Sequence, residues 1–535
     1  MPKLRIAGPA GACLRSLLGG DGGGNIRRET RIAVRRALKM KQNGRKVLIV
    51  GGGIAGLCTA VYALRSGYQA EVLEMHDMAG GLAMSWRRGN YTFETCLHWL
   101  YGSGANMPFH AEWQEVCDID RLTFVRHSEL VRLETESGEG VSFYTDLDRL
   151  EAELLKHAPQ DAGEIRRMTA DLRKLSKFRM PNPSAGPFRT LLTLLGDMPY
   201  MPLLRKLSKM SGEEYGKRFT NRLVRNFFGD GDMGQLSAIA LFFSLAWMGS
   251  GDADYAVGGA QSLIRLIEEK LVSLGGRVRY NAKVERILVE NGVAVGVELA
   301  GGEAIGADWV VSAADGYATI YEMLGGKYKN EATDKLYRDV PLFPSYLQVS
   351  LGVGCGLNQL PPMLTRLLDT PFELDPGTQL NHVAYRIFNF DPTFAPAGKT
   401  AITCFLPTRN HAYWVELRQR EISAYRAEKQ RVAETVIGVL ERKLPEIREA
   451  IEVVDVSTPA TVIRYTGNWK GSMEGWLLAP GARMRPYPNT LPGLKQFLMA
   501  GQWVAPGGGL PSGVTTGRAA IQAVCKQDGA SFLCR

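Results

Sequence analysis

The sequence predicts an α/β protein in which a nucleotide-binding lobe, assembled from distant parts of the chain, carries a discontinuous α+β lobe. Three observations carry that expectation. Residues 46–74 read as strand, glycine turn, helix and second strand. Residues 497–525 read as strand, Gly/Pro-rich loop and helix. The length of 535 residues exceeds what a single hydrophobic core organises.

Residues 1–44 form a basic leader. Residues 1–39 hold nine Lys or Arg against Asp21 and Glu29, a local charge of +7 out of a total of +9, so the remaining chain is close to neutral. Three readings of the leader stay open: a transit-like segment, an arm for anionic lipid, or sequence the fold does not need. It lacks the long apolar stretch of a secretory signal.

The first strand, Lys46-Val47-Leu48-Ile49-Val50, runs into Gly51-Gly52-Gly53-Ile54-Ala55-Gly56. Glycines at 51, 53 and 56 give the G-x-G-x-x-G spacing: one for the tight turn, one for backbone approach to a pyrophosphate, one for helix packing on the strand. The free N–H groups of a helix starting at Ile54 and Ala55 would face the phosphates. Leu57, Ala60, Val61 and Leu64 recur at helical spacing, and Gly67 sits where a C-cap is expected. The second strand ends at Glu74, placed to accept from ribose hydroxyls and to repel a 2′-phosphate. Together these features predict a Rossmann-like lobe.

Gly80-Gly81 follows in a loop. At the other end come Phe497-Leu498-Met499-Ala500, Gly501-Gln502-Trp503, then Pro506-Gly507-Gly508-Gly509-Leu510-Pro511-Ser512-Gly513 and a helix over about 514–525. The glycine pair after the acidic residue, with this C-terminal loop, resembles the flavoenzymes of the amine oxidase and phytoene desaturase superfamily. The resemblance implies FAD as cofactor, held by Gly51, Gly53, Ile54, Ala55, Gly56, Glu74, Gly80, Gly81, the backbone of Val284, and Gly501, Pro506, Gly508, Gly509 and Val514. It also implies an FAD-binding domain from 45–110, 251–330 and 481–535, and a substrate-binding domain from 111–250 and 331–480. Within the former, 262–274 reads as a helix and 294–299 and 310–315 as strands.

Tyr91-Thr92-Phe93-Glu94-Thr95-Cys96-Leu97-His98-Trp99-Leu100 is similar to the segment that marks the phytoene desaturase, carotenoid isomerase and retinol saturase branch, with Glu94 for the usual Asp and Cys96 for the usual Gly. Asn468-Trp469-Lys470-Gly471-Ser472-Met473-Glu474-Gly475-Trp476 is similar to the matching late segment. Both are aromatic-rich, as a long apolar substrate requires, and equally as a plain core does. The resemblance implies an oxidoreductase acting on CH–CH or C=C bonds of a carotenoid, retinoid or other long-chain lipid. A double-bond isomerase, an amine oxidase and a non-catalytic flavoprotein chaperone stand as alternatives. His98, able to titrate near neutrality, and Glu474, among aromatics that raise its pKa, are the candidate catalytic residues.

Gly352-Val353-Gly354-Cys355-Gly356 repeats glycines but runs into Pro361-Pro362 and cannot open a long helix. No second dinucleotide domain is expected, so the flavin would exchange electrons with an external carrier such as a quinone or oxygen. Eight dispersed cysteines without a C-x-x-C pair indicate neither metal nor disulfide framework and fit a reducing, cytoplasmic location. No run approaches a membrane span, and no basic groove with interleaved aromatics suggests nucleic acid. Residues 188–195 and 198–204, flanked by Arg205, Lys206 and Lys209, read either as a hairpin buried in the second lobe or as a lid touching a membrane surface.

Overall fold

The computed structural model describes residues 44–178, 196–229, 234–483 and 485–535. Residues 1–43 of the basic leader and residues 188–195 lie outside them.

The nucleotide lobe is built on strand β1 (Lys46–Val50), helix α1 (Ile54–Arg65), strand β2 (Gln69–Leu73), helix α2 (Gly259–Ser273), strands β3 (Arg277–Arg279), β4 (Trp309–Ser312) and β5 (Phe497–Met499), and helix α3 (Leu510–Gln527). The five strands form one parallel sheet in the order β3-β2-β1-β4-β5. β1 is central, and Val47, Leu48 and Ile49 are fully buried, as a strand covered on both faces requires. Gly67, at φ +92°, follows the last turn of α1, and Tyr68 N–H returns to Ala63 O at 3.0 Å, closing the helix. An antiparallel meander, Val284–Glu290, Val293–Leu299 and Ala304–Gly306, bridges β3 and β4.

The second lobe centres on a seven-stranded mixed sheet. Its order is Ile451–Ser457, Ser345–Val353, Thr400–Thr408, Thr378–Ile387, Met363–Asp375, Glu129–Glu134 and Gly140–Tyr144. The early hairpin 129–144 joins the late strands through a parallel pairing, Leu364 opposite Arg132, which makes the lobe discontinuous in sequence. One face, with Leu347, Val349, Cys404 and Tyr385, packs under helices His411–Arg420 and Ile422–Glu441. Helices Leu147–His157, Ala162–Leu175 and Ala238–Ser250 share a separate apolar core. Gly352 to Gly356 end a strand of this sheet and open no helix. In the helical part, Leu203 and Leu207 are buried, whereas Met198 and Met201 are 64% and 53% exposed. Among the described residues no helix is long and apolar enough to cross a membrane.

Candidate active site

The turn after β1 is fitted to a phosphate-bearing ligand. Gly51, at φ +98°, donates its N–H to Leu73 O at 2.8 Å, pinning the turn between β1 and β2. A Cβ on Gly56 would lie 1.9 Å from Gly51 O, so only glycine lets α1 start here. A Cβ on Gly53 would meet nothing closer than Gly80 O at 3.9 Å. That is the open approach a pyrophosphate needs in front of the first N–H groups of α1. Glu74 is buried at the end of β2, accepting from Gly52 N–H at 2.7 Å through Oε2 and from His76 N–H at 2.9 Å through Oε1. Each carboxylate oxygen keeps a lone pair for a ribose hydroxyl.

Gly80 pairs with Gly53 in a parallel bridge and donates to Gly52 O at 3.0 Å, bringing Gly80 and Gly81 onto the same turn. Val284 packs with Leu48 and Leu73, and Ala282 N–H donates to Glu74 O at 2.8 Å, so the start of the meander sits beside Glu74.

The C-terminal segment closes on the same place from the other side. Gly513 faces Ile54, where a Cβ would lie 2.7 Å from its Cγ2 and 3.1 Å from Ala55 N. The N-terminal ends of α1 and α3 thus lie side by side and their positive ends converge. Gly501 N–H donates to Thr516 Oγ1 at 2.8 Å, Gly501 approaches Ala55, and Val514 is fully buried in the core shared with Ala55. Helix α3 begins at Leu510, earlier than the expected 514, because Pro511 fits the first turn of a helix. Pro506 leads into Gly507, whose N–H donates to Trp476 O at 3.1 Å, and Gly508 presses on Glu474, with a Cβ position 2.5 Å from its carbonyl oxygen. The loop of Gly508 and Gly509 and the late aromatic segment are therefore in contact. These residues fit a flavin dinucleotide: an open glycine turn, an acidic ribose partner, and two helix N-termini.

Next to this cradle lie the candidate catalytic groups. Burial raises the Glu474 carboxyl to about 7. Cys96 is near enough to Glu94 and Glu474 that both carboxylates, after burial, push its thiol up to about 12. His98 departs from expectation: burial, followed by the Arg386 guanidinium, holds it down at about 3, so it is neutral around pH 7. Its ring packs against Trp99 and Phe405.

Three groups not singled out from the sequence as site residues complete the surroundings. Glu94 is buried, its Oε2 accepting from Ala260 N–H at 3.0 Å at the start of α2, and burial pushes it up to about 8 against the pull of Arg386. Arg386 is buried under the rings of Tyr255 and Phe388, at 5.0 and 5.1 Å. Tyr255 in turn donates to Asp391 at 3.0 Å. The available signal for Arg386 was a charge inside an apolar strand, Val383 to Ile387.

The sequence profile described as flavin containing amine oxidoreductase matches residues 54–525. A chloroplastic prolycopene isomerase of Daucus carota is 26% identical over 459 residues, covering 79% of this chain and 71% of that one. A neurosporene-forming phytoene desaturase of Rhodobacter capsulatus is 24% identical over 510 residues, covering 90% and 94%. The crystal structure of an oxidoreductase from Methanosarcina mazei superposes with a TM-score of 0.55 at 16% identity, covering 89% of this chain and all of that one. With the family profile spanning most of its length, the chain belongs to the flavin containing amine oxidoreductases, and its cofactor is FAD.

Proposed function

We propose that the protein desaturates or saturates a CH–CH or C=C bond in a carotenoid, retinoid or other long-chain lipid. The observation that carries this reading is the convergence of the two glycine loops, 51–56 and 501–513, on one cradle beside a buried cluster of carboxyl and aromatic side chains. The names of the relatives, a phytoene desaturase and a prolycopene isomerase, support the substrate class.

Gly51, Gly53, Ile54, Ala55, Gly56, Gly80 and Gly81 would hold the pyrophosphate, Glu74 the ribose, and Val284 the adenine edge. Gly501, Pro506, Gly508, Gly509 and Val514 would line the ring system. Bound FAD supplies a hydride acceptor or donor, which is the chemistry an unactivated C–C bond requires. The chain supplies orientation, a water-poor pocket and a proton site. With its pKa near 7, a Glu474 carboxylate oxygen can take the proton lost in a desaturation or return it in a saturation. His98, neutral and flanked by Trp99 and Phe405, would shape the pocket wall rather than carry charge. Electrons would pass to or from an external carrier such as a quinone or oxygen. A membrane surface is the proposed source of substrate: exposed Met198 and Met201 stand beside exposed Arg205 and Lys206.

The second reading is double-bond isomerisation without net electron transfer, favoured by the name of the carrot relative. A product two mass units from its substrate supports the first reading; an unchanged mass supports the second. For the cofactor site, Gly53→Val should leave a folded protein without flavin absorbance, because the new side chain fills the open approach. Full flavin occupancy in that variant would contradict the placement.

A further inference from the structure

Several polar atoms on the site-facing side of the seven-stranded sheet are buried without a hydrogen-bond partner. Gln348 and Phe405 are cross-strand neighbours, as are Ser350 and Thr403, and Thr403 in turn faces Arg386, so these side chains share one face. Gln348 is fully buried, with Nε2 donating to Glu94 O and to Ser350 Oγ, both at 3.0 Å. A carbonyl oxygen only accepts, so the amide orientation is set and Oε1 is the acceptor left over. Gln348 Oε1 has no partner, nor has Glu94 Oε1, nor Thr403 Oγ1. Among the described residues the guanidinium of Arg386, a residue 7% exposed, donates only a long hydrogen bond, Nη2 to His98 O at 3.3 Å, and is in no ion pair. A buried guanidinium and a buried carboxyl that share a cluster without pairing with each other are partners that a third polar group could satisfy. Native proteins rarely leave such atoms unsatisfied.

We infer that Arg386, Gln348 and Glu94 anchor a hydroxyl group carried by the substrate chain, Arg386 donating to its oxygen, Gln348 Oε1 accepting from its O–H and the Glu94 carboxyl completing the polar surroundings. A hydrocarbon end satisfies none of these atoms. A carboxylate would satisfy Arg386 but bring no donor for Gln348 Oε1. The inference rests on the proposed reading that a long apolar chain lies in this pocket, and it narrows that class to chains bearing an alcohol.

The test is a titration of the FAD-loaded protein with geranylgeraniol, its methyl ether, the hydrocarbon of the same chain length and geranylgeranoic acid, read by the change in flavin absorbance. The alcohol is expected to bind at least about tenfold more tightly than the ether or the hydrocarbon, the size of one good hydrogen bond. In Arg386→Met and in Gln348→Leu the advantage of the alcohol over the hydrocarbon should shrink while affinity for the hydrocarbon stays, with retained flavin absorbance reporting an intact fold. Equal affinity of alcohol, ether and hydrocarbon for the unmodified protein would mean that water alone occupies the cluster, overturning the anchor while leaving lipid chemistry standing. Tighter binding of the acid would make it an anion site and likewise overturn the hydroxyl assignment. Absence of any spectral response to all four chains would overturn the proposed substrate class itself.

Discussion

At the scale of single residues, Gly56 sets the tightest constraint on the cofactor turn. A methyl group there would fall 1.9 Å from Gly51 O, a backbone atom that cannot rotate away. Gly56→Ala should therefore cost at least roughly 1–3 kcal/mol, the range for overpacking, and release flavin, read by thermal unfolding with and without FAD. Glu474 gives a pH-dependent prediction. Its folded pKa of about 7 lies above its ordinary 4.5, so burial disfavours the ionised form. Stability should fall as pH rises from about 4.5 to about 7 and the loss should then remain constant. Glu474→Gln removes up to about 3 kcal/mol of that loss, so the variant should gain on the unmodified apoprotein above pH ~7 and match it near pH ~4. If the same carboxylate is the proton acceptor in desaturation, the rate should rise through pH ~7 and lose that dependence in the variant. The three turn glycines and Glu74 were placed correctly in the strand, turn and helix because their positions are local, fixed by spacing along the chain. Glu94, Gln348 and Arg386 were not legible, because their meaning comes from cross-strand registers that place residues about 250 to 290 positions apart in one buried cluster.

At the scale of elements, the site depends on how closely α1 and α3 pack. Gly517 lets them touch: a Cβ there would lie 2.8 Å from Thr59 Oγ1 and 3.0 Å from Thr59 N. Gly517→Val should push α3 off α1, lowering the thermal midpoint and weakening FAD binding together, and unchanged FAD affinity in a destabilised variant would show that the helix pair does not hold the cofactor. The strand, turn and helix at 46–65 were readable because β1 is an apolar run buried on both faces and α1 has an apolar stripe. The start of α3 was not, since a Gly- and Pro-rich run looks like loop until Pro511 is seen to sit in a first turn. Two-residue strands such as Leu100–Tyr101 and Phe124–Val125, both paired to Ala253–Ala256, leave no periodic signal at all.

At the scale of the whole molecule, both lobes are stitched from distant segments: the parallel sheet takes β5 and α3 from the C-terminus, and the mixed sheet takes its hairpin from residues 129–144. The glycine loops announced the first arrangement; nothing local announced the second. If substrate enters from a bilayer near the exposed pair Met198 and Met201, replacing both with Asp should reduce cosedimentation with anionic phosphatidylglycerol vesicles several-fold while leaving flavin content unchanged. Unchanged vesicle binding would remove the membrane from the account. The proposed activity is redox chemistry on a long-chain lipid by a flavin held between residues 51–56 and 501–513. Its most direct test is anaerobic incubation of stoichiometric FAD-loaded protein with candidate polyene and saturated-chain lipids, with product mass and flavin absorbance followed together. A product two mass units from its substrate and a matching change in flavin absorbance are expected; an unchanged mass with unaltered flavin, or aldehyde and hydrogen peroxide formed from an amine in air, would rule out lipid redox chemistry.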